Sequence, residues 1–135
     1  MSATVTNDLH AAPGTGKAAN VVLWVLQVAA AAMLGMAGFA KLSGDPQMVA
    51  MFDVIGLGQW FRYLTGGLEV LGAILLLVPA LAGAGALLLA GVMVGAILTH
   101  LFVVGGSPAI PLVLLVALAV IAYVRRDRTL RLLGR

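Results

Sequence analysis

Four long apolar runs, separated by short polar or glycine-rich breaks, constrain this chain more than any other feature. The first runs from Val21 to Ala40, and at a rise of about 1.5 Å per residue it is long enough to cross a hydrocarbon core of about 30 Å. Apolar residues make up 62% of the 135 positions and charged residues 10%, whereas soluble domains contain about 45–50% and about 25%. The sequence therefore predicts an all-α integral membrane protein, a bundle of four transmembrane helices whose main partner is the lipid bilayer. The predicted spans are about 21–40, 60–78, 83–104 and 109–124.

The segments outside the spans predict two tails and one substantial loop. Residues 1–20 are polar and small, as in a disordered tail, and residues 125–135 form a basic tail. In the loop 41–59, Asp45 and Pro46 suit the N-cap and first position of a helix, and Gly56 suits its end. We expect a short amphipathic helix at the membrane interface, because four apolar residues recur there at helical spacing. These residues are Met48, Met51, Phe52 and Ile55.

The basic residues predict an orientation in the membrane, and no nucleic-acid partner. Five arginines crowd the last eleven positions, directly behind an apolar run, which is a membrane-flanking pattern. With Lys17 they place six basic residues on the side of both termini, against Lys41 and Arg62 on the other. Basic residues are in excess on the cytoplasmic side, so we predict a multi-pass protein of a bacterial inner membrane with both termini cytoplasmic and the 41–59 loop facing outward. Alanines 29–32 also offer a signal-peptide cleavage site, an alternative disfavoured by the long leading tail and the continuing apolar run.

The chain contains no cysteine. This excludes a disulfide, a thiolate-bound cluster and thiol chemistry within the chain. We predict neither haem nor metal, because His100 is the one histidine in a predicted span and only a symmetric dimer could supply two axial ligands. Any redox chemistry must then use a bound cofactor, a substrate or a partner.

Ionisable residues in the spans are the strongest candidates for function. Charged groups cost about 2.5–3.5 kcal/mol at the bilayer centre, so the rare ones that occur there need an explanation. Lys41 ends the first span and Arg62 begins the second, while Glu69 and His100 lie about 10 Å and about 6 Å below the outer helix ends. We expect these groups to meet in a polar pocket between the first three spans that opens outward. The interior of the fourth span holds no polar residue, which predicts a scaffold role.

Helical spacing extends this predicted pocket along two spans. Thr65 shares one face of the second span with Arg62 and Glu69, and Gln27 shares a face of the first span with Lys41. The predicted catalytic residues are Glu69, His100 and Lys41, and the predicted cofactor-binding residues are Arg62, Thr65 and Gln27.

A purely structural role is the alternative for the polar cluster. Glu69 could pair with Lys41, Arg62 or His100 and fix the packing of the helices. A further packing element is the pair Gly91 and Gly95, spaced as in a GxxxG motif. We expect its surface to face away from His100 and to seat another helix of the bundle or a second protomer.

Three strings near the outer ends of the first three spans support a more specific prediction. They are AGFAKL at 37–42, RYLTGGLE at 62–69 and GAILTH at 95–100. In their order and spacing they resemble the DoxX and DoxX-like family of four-helix membrane proteins, over about residues 21–124. The family takes its name from the membrane subunit of a thiosulfate:quinone oxidoreductase, and other relatives are linked to membrane-associated redox and oxidative-stress systems. The resemblance implies that Lys41, Glu69 and His100 occupy the family's polar positions.

Three functions fit these features. The favoured one is a quinone-linked redox membrane protein, alone or as a subunit of a membrane oxidoreductase with a soluble or membrane redox partner. In it Lys41 or Arg62 would stabilise a reduced quinone oxygen, and His100 and Glu69 would exchange protons. A small proton-coupled transporter would also use Glu69, but it would need a dimer and alternating access. A non-catalytic accessory or assembly protein would tolerate substitution at Glu69.

Overall fold

The structure, a computed structural model, describes residues 16–132 and residue 134, and this part of the chain is helical apart from short turns. A 3₁₀ turn, Pro79–Leu81, precedes the fourth helix, and a π-helical turn, His100–Val104, continues it. The helices are α1 (Lys17–Ser43), α2 (Pro46–Ile55), α3 (Gln59–Leu77), α4 (Ala82–Thr99), α5 (Ala109–Val124) and α6 (Arg126–Leu132).

Three helical stretches of the described chain are long and apolar enough to cross a membrane. They are Lys17–Ser43, Gln59–Leu77 and Pro79–Val104, the last being α4 with its two flanking turns. A further candidate is α5 together with α6, two helices bent by 66° relative to each other. The predicted class, a helical membrane protein, is therefore confirmed with three or four spans. Alone, α5 has 16 residues, fewer than the about 20 that a span usually needs.

The first helix is longer than the sequence predicted. It begins at Lys17, not at Val21, because residues 17–20 contain no helix-breaking glycine or proline. It ends at Gly44, whose φ of 79° gives the left-handed C-cap that glycine adopts readily. The predicted disordered tail 1–20 is thus wrong for residues 17–20, and residues 1–15 lie outside the described residues. The predicted basic tail contains a short helix, α6.

The short helix predicted in the loop is confirmed as α2. A side-chain oxygen of Asp45 accepts a hydrogen bond from the backbone N–H of Gln47 at 2.9 Å, and Pro46 occupies the first turn. Gly56 ends the helix with φ 83°. These are local signals, so the sequence alone determined both ends of α2.

The long helices pack against one another in the order of the sequence. α1 packs mainly along α3, α3 along α4, and α4 along α5. The apolar core lies inside the half of the bundle in which α3 ends and α4 begins, and Leu76, Leu89, Leu118 and Ile121 are completely buried there. Large apolar side chains cover the outside, for example Phe102 at 78% exposure, as expected of a surface that faces lipid.

Candidate functional site

A cavity of about 490 Å³ lies at the other end of the bundle, between α1, α2, α3 and α4. Its walls are mainly apolar, with methionine, leucine, phenylalanine and valine side chains from α2, α3 and α4. Its size falls in the range of about 300–1,000 Å³ that is usual for small-molecule sites. The polar or ionisable residues that line it are Lys41, Thr65, Glu69, Thr99 and His100.

Helix α2 forms one wall of this cavity. The four residues that predicted an amphipathic helix, Met48, Met51, Phe52 and Ile55, all line it. Phe52 is 3% exposed, and its ring lies 5.8 Å from that of Phe61 on α3, centroid to centroid. The apolar face of α2 is therefore turned toward a binding space inside the protein, which its periodicity alone could not show.

An ion pair joins α1 to α3 at the cavity. Lys41 Nζ lies 2.8 Å from Glu69 Oε1, and the two side chains are 13% and 3% exposed. The contact is electrostatic and is not an aligned hydrogen bond, since Glu69 Oε1 has no hydrogen-bond partner by geometry. A buried carboxylate in a membrane span needs such a counter-charge. The pair therefore both ties the helices together and places two opposite charges beside an apolar space.

Two glycines let α1 and α3 approach closely enough for this pair to form. A Cβ on Gly38 would lie 2.7 Å from the carbonyl oxygen of Gly66, and a Cβ on Gly66 would lie 2.9 Å from Cβ of Lys41. Both distances are shorter than real Cβ contacts, so a side chain at either position would push the helices apart. Small residues allow this kind of close contact between membrane helices.

His100 begins the π-helical turn at the end of α4. Its ring nitrogen Nδ1 lies 2.8 Å from the carbonyl oxygen of Ala96. A carbonyl oxygen only accepts hydrogen bonds, so Nδ1 carries the hydrogen and the neutral ring keeps Nε2 as an acceptor. Single π turns are frequent at functional sites. His100 thus contributes a hydrogen-bond acceptor, and a group able to take up a proton, to the lining of the cavity.

The two threonines of the cavity are already engaged with the backbone. The hydroxyl of Thr65 donates to the carbonyl oxygen of Phe61, and that of Thr99 to the carbonyl oxygen of Gly95, each at 2.8 Å. Their oxygen lone pairs can only accept from a ligand. The cavity consequently offers Lys41 as its charged donor, with Glu69 and His100 as acceptors that can also exchange protons.

Arg62 does not line the cavity, contrary to its predicted role in cofactor binding. Its guanidinium donates through Nη1 to the carbonyl oxygen of Lys41 and, at 2.6 Å through Nε, to Gln59 Oε1. It also lies over the ring of Tyr63, 4.3 Å from the centroid. The last carbonyls of a helix lack partners within it, and the long arginine side chain supplies one at the end of α1. Arg62 therefore fastens α1 to α3.

Gln27 is also absent from the cavity, so its predicted position is wrong. It is completely buried and donates to the carbonyl oxygen of Leu76 at 2.9 Å. Its Oε1 accepts from Nε of Arg125 at 3.0 Å. Gln27 shares a helix face with Lys41, but it lies fourteen residues earlier, about 21 Å along α1. Residues on one face of a helix point in the same direction, but they can lie at different depths in the bundle.

Arg125 is the polar residue that the sequence analysis missed. The sequence places it in the predicted basic tail 125–135, yet only 4% of it is exposed. The signal that could have revealed it is Gln27 itself, because an amide within a span needs a polar partner at the same depth.

Gly91 and Gly95 line the same cavity as His100, so the expectation that they face away from it is wrong. A Cβ at either glycine would meet nothing within 4 Å, which means that no helix of the described chain packs there. The cavity is broad enough to include more than one face of α4. Contact with a second protomer through these glycines stays a prediction.

Comparison with known protein families gives a match. The sequence profile of the DoxX-like family matches residues 25–124, a range that contains the whole cavity. No curated protein and no solved structure matches the chain. Within the described residues, no group of three histidine, aspartate or glutamate side chains is placed to hold a metal ion.

Proposed function

The chain belongs to the DoxX-like family, and from this premise we propose that it is a quinone-linked redox protein of a bacterial inner membrane, acting alone or as a subunit of a membrane oxidoreductase. The observation that carries the proposal is the composition of the cavity. One acid, one ammonium group and one imidazole meet mainly apolar walls inside a membrane protein. A ligand that fits must be largely apolar and must carry oxygen atoms at one end.

A lipid-soluble quinone has these properties, and the residues present suit it. The α2 and α4 walls would hold the ring and the start of its isoprenoid chain, and Lys41 would donate a hydrogen bond to one ring oxygen. The quinone would supply two-electron, two-proton redox chemistry, with the electrons passing to or from a partner. Glu69 and His100 would give or take the protons, because each can hold a proton at an atom that lines the cavity.

The proposal includes a topology of four spans with both termini in the cytoplasm. The fourth span would be α5, which packs along α4 and ends at the buried Arg125. The proposed cavity then lies in the outer half of the bilayer. Because the chain has no cysteine, single-cysteine variants test this cleanly with a membrane-impermeant thiol reagent. Ser43→Cys and Ser107→Cys should react in intact cells, and Arg131→Cys only after permeabilisation. Equal labelling of Ser107→Cys and Arg131→Cys from one side would contradict a spanning α5.

The quinone site itself is tested by co-purification. The protein is purified in mild detergent and extracted with organic solvent, and quinone is measured per chain by absorbance and mass. We expect about one quinone per chain in the wild type and a loss in Glu69→Gln and in His100→Ala. The control is Asp53→Asn, which makes the same carboxylate-to-amide change at an exposed position of α2. No quinone above the content of an unrelated membrane protein would refute the proposal.

A further inference from the structure

The end of the bundle opposite the cavity holds a buried arginine whose partners do not balance its charge. Arg125 is 4% exposed, and its Nε donates to Gln27 Oε1 at 3.0 Å. Its Cζ lies 5.9 Å from the ring centroid of Trp24. Its Nη2 is buried and has no hydrogen-bond partner among the described residues. One arm of a guanidinium is therefore left without an acceptor.

No carboxylate of the described chain neutralises Arg125. The only ion pair among the described residues joins Lys41 and Glu69, at the cavity end. Asp127 is close in sequence, but it is exposed and forms no ion pair. Buried charges in proteins are usually paired, and a buried donor without an acceptor calls for an explanation, such as a water molecule, an ion or strain.

The surroundings of Arg125 add positive potential. Arg126 and Arg128 follow it and donate to the carbonyl oxygens of Tyr123 and Pro79, each at 2.7 Å. Neither forms an ion pair with a described residue. The 18-residue helix α4 begins here, and no side chain caps its N-terminus, which carries a partial positive charge. Gly83 in the first turn of α4 leaves room for Thr129, whose hydroxyl oxygen is also buried without a partner.

We propose that this cluster, formed by Arg125, Arg128, Thr129 and the N-terminus of α4, binds the phosphate group of an anionic phospholipid. The cluster lies where α3 ends, α4 begins and α5 ends, which in the proposed four-span topology is the level of the headgroups. Trp24 beside it is a residue type that favours this level. Phosphate accepts hydrogen bonds from guanidinium and hydroxyl groups, so it satisfies both atoms that lack partners. Because Nη2 is buried, binding requires a local movement, and we expect the short helix α6, which carries no buried residue, to be the element that moves.

The test uses Trp24 as a reporter. The chain has two tryptophans, so the substitution Trp60→Phe leaves Trp24 as the only source of tryptophan fluorescence. This variant is the background for all measurements. The full-length protein is reconstituted in phosphatidylcholine vesicles that contain increasing amounts of lipid with brominated acyl chains. The brominated lipid is phosphatidylglycerol in one series and phosphatidylcholine in the other. Bromine quenches tryptophan only at short range, so quenching reports which lipid occupies the site.

We expect phosphatidylglycerol to be favoured over phosphatidylcholine by about fivefold or more, the ratio that corresponds to about 1 kcal/mol for one basic residue near the surface. Arg125→Gln should remove this preference. The matched control Arg131→Gln removes the same charge from an exposed position of α6 and should keep it. Circular dichroism establishes that each variant is folded. If Arg125→Gln does not fold, the preference for phosphatidylglycerol over phosphatidylcholine in the Trp60→Phe protein still tests whether a headgroup is selected.

Three results would overturn the proposal. Equal quenching by the two brominated lipids would show that no headgroup is selected. Equal loss of preference in Arg125→Gln and Arg131→Gln would show attraction to diffuse charge and not to this site. Displacement of the brominated phosphatidylglycerol by inorganic phosphate at constant ionic strength would assign the site to free phosphate and not to a lipid.

Discussion

Two adjacent glycines of α3, Gly66 and Gly67, should respond differently to alanine. A Cβ on Gly66 would lie 2.9 Å from Cβ of Lys41 and 3.0 Å from the carbonyl oxygen of Gly38, whereas a Cβ on Gly67 would meet nothing within 4 Å. Overpacking of this kind costs about 1–3 kcal/mol. The better helix propensity of alanine offsets at most about 1 kcal/mol. Gly66→Ala should therefore lose up to about 2 kcal/mol of stability, and Gly67→Ala should change it by less than about 1 kcal/mol.

The assay is unfolding of the purified proteins in detergent with increasing sodium dodecyl sulfate, followed by circular dichroism. Because the close approach at Gly66 also sets the distance between Lys41 and Glu69, Gly66→Ala should lower quinone content as well, and Gly67→Ala should not. Equal stability of the two variants would refute the inference that α1 and α3 meet through a glycine contact at the site.

Three further predictions concern separate parts of the molecule. Lys41→Met or Glu69→Leu alone leaves one buried charge unpaired and should cost about 3–5 kcal/mol of stability. The double variant should recover most of this stability but should not bind quinone. If the double variant recovers its stability and also keeps its quinone, the ion pair is a packing device. Asp45→Ala removes the N-cap of α2 and should cost about 1 kcal/mol of helix stability. Hydrogen exchange should become faster in residues 46–55 only, and unchanged exchange there would contradict the capping role. Gln27→Leu leaves Nε of Arg125 without its acceptor and should cost about 1–3 kcal/mol in the same unfolding assay; loss of quinone in this variant would contradict the placement of Gln27 away from the cavity.

The features that could be predicted from sequence are those set by local chemistry. The apolar runs identified three spans and a fourth candidate because hydropathy and length are properties of single segments. The ends of α2 followed from Asp45, Pro46 and Gly56 for the same reason. The positions of Lys41, Glu69 and His100 near one end of their helices placed them at a common depth, and the structure brings them to one cavity.

The features that could not be predicted depend on how helices meet. Gln27 shares a face with Lys41 but belongs to the opposite end of the bundle, since a helical wheel carries no information on depth. Arg125 belongs to the predicted basic tail, but it lies at the bend between α5 and α6 and donates to Gln27. The apolar side of α2 faces a cavity, although its periodicity would be the same against lipid. In each case the position of the residue depends on a tertiary contact that the sequence pattern does not contain.

The most direct test of the proposed quinone site is to fill the cavity. Gly91→Leu places a side chain in open space within the cavity, while Gly67→Leu places the same side chain in open space on α3 outside it. We expect both variants to fold, because neither added Cβ meets a neighbour. We predict that Gly91→Leu loses its quinone and that Gly67→Leu keeps the wild-type content. Full quinone content in a folded Gly91→Leu protein would contradict the proposal that this cavity binds quinone.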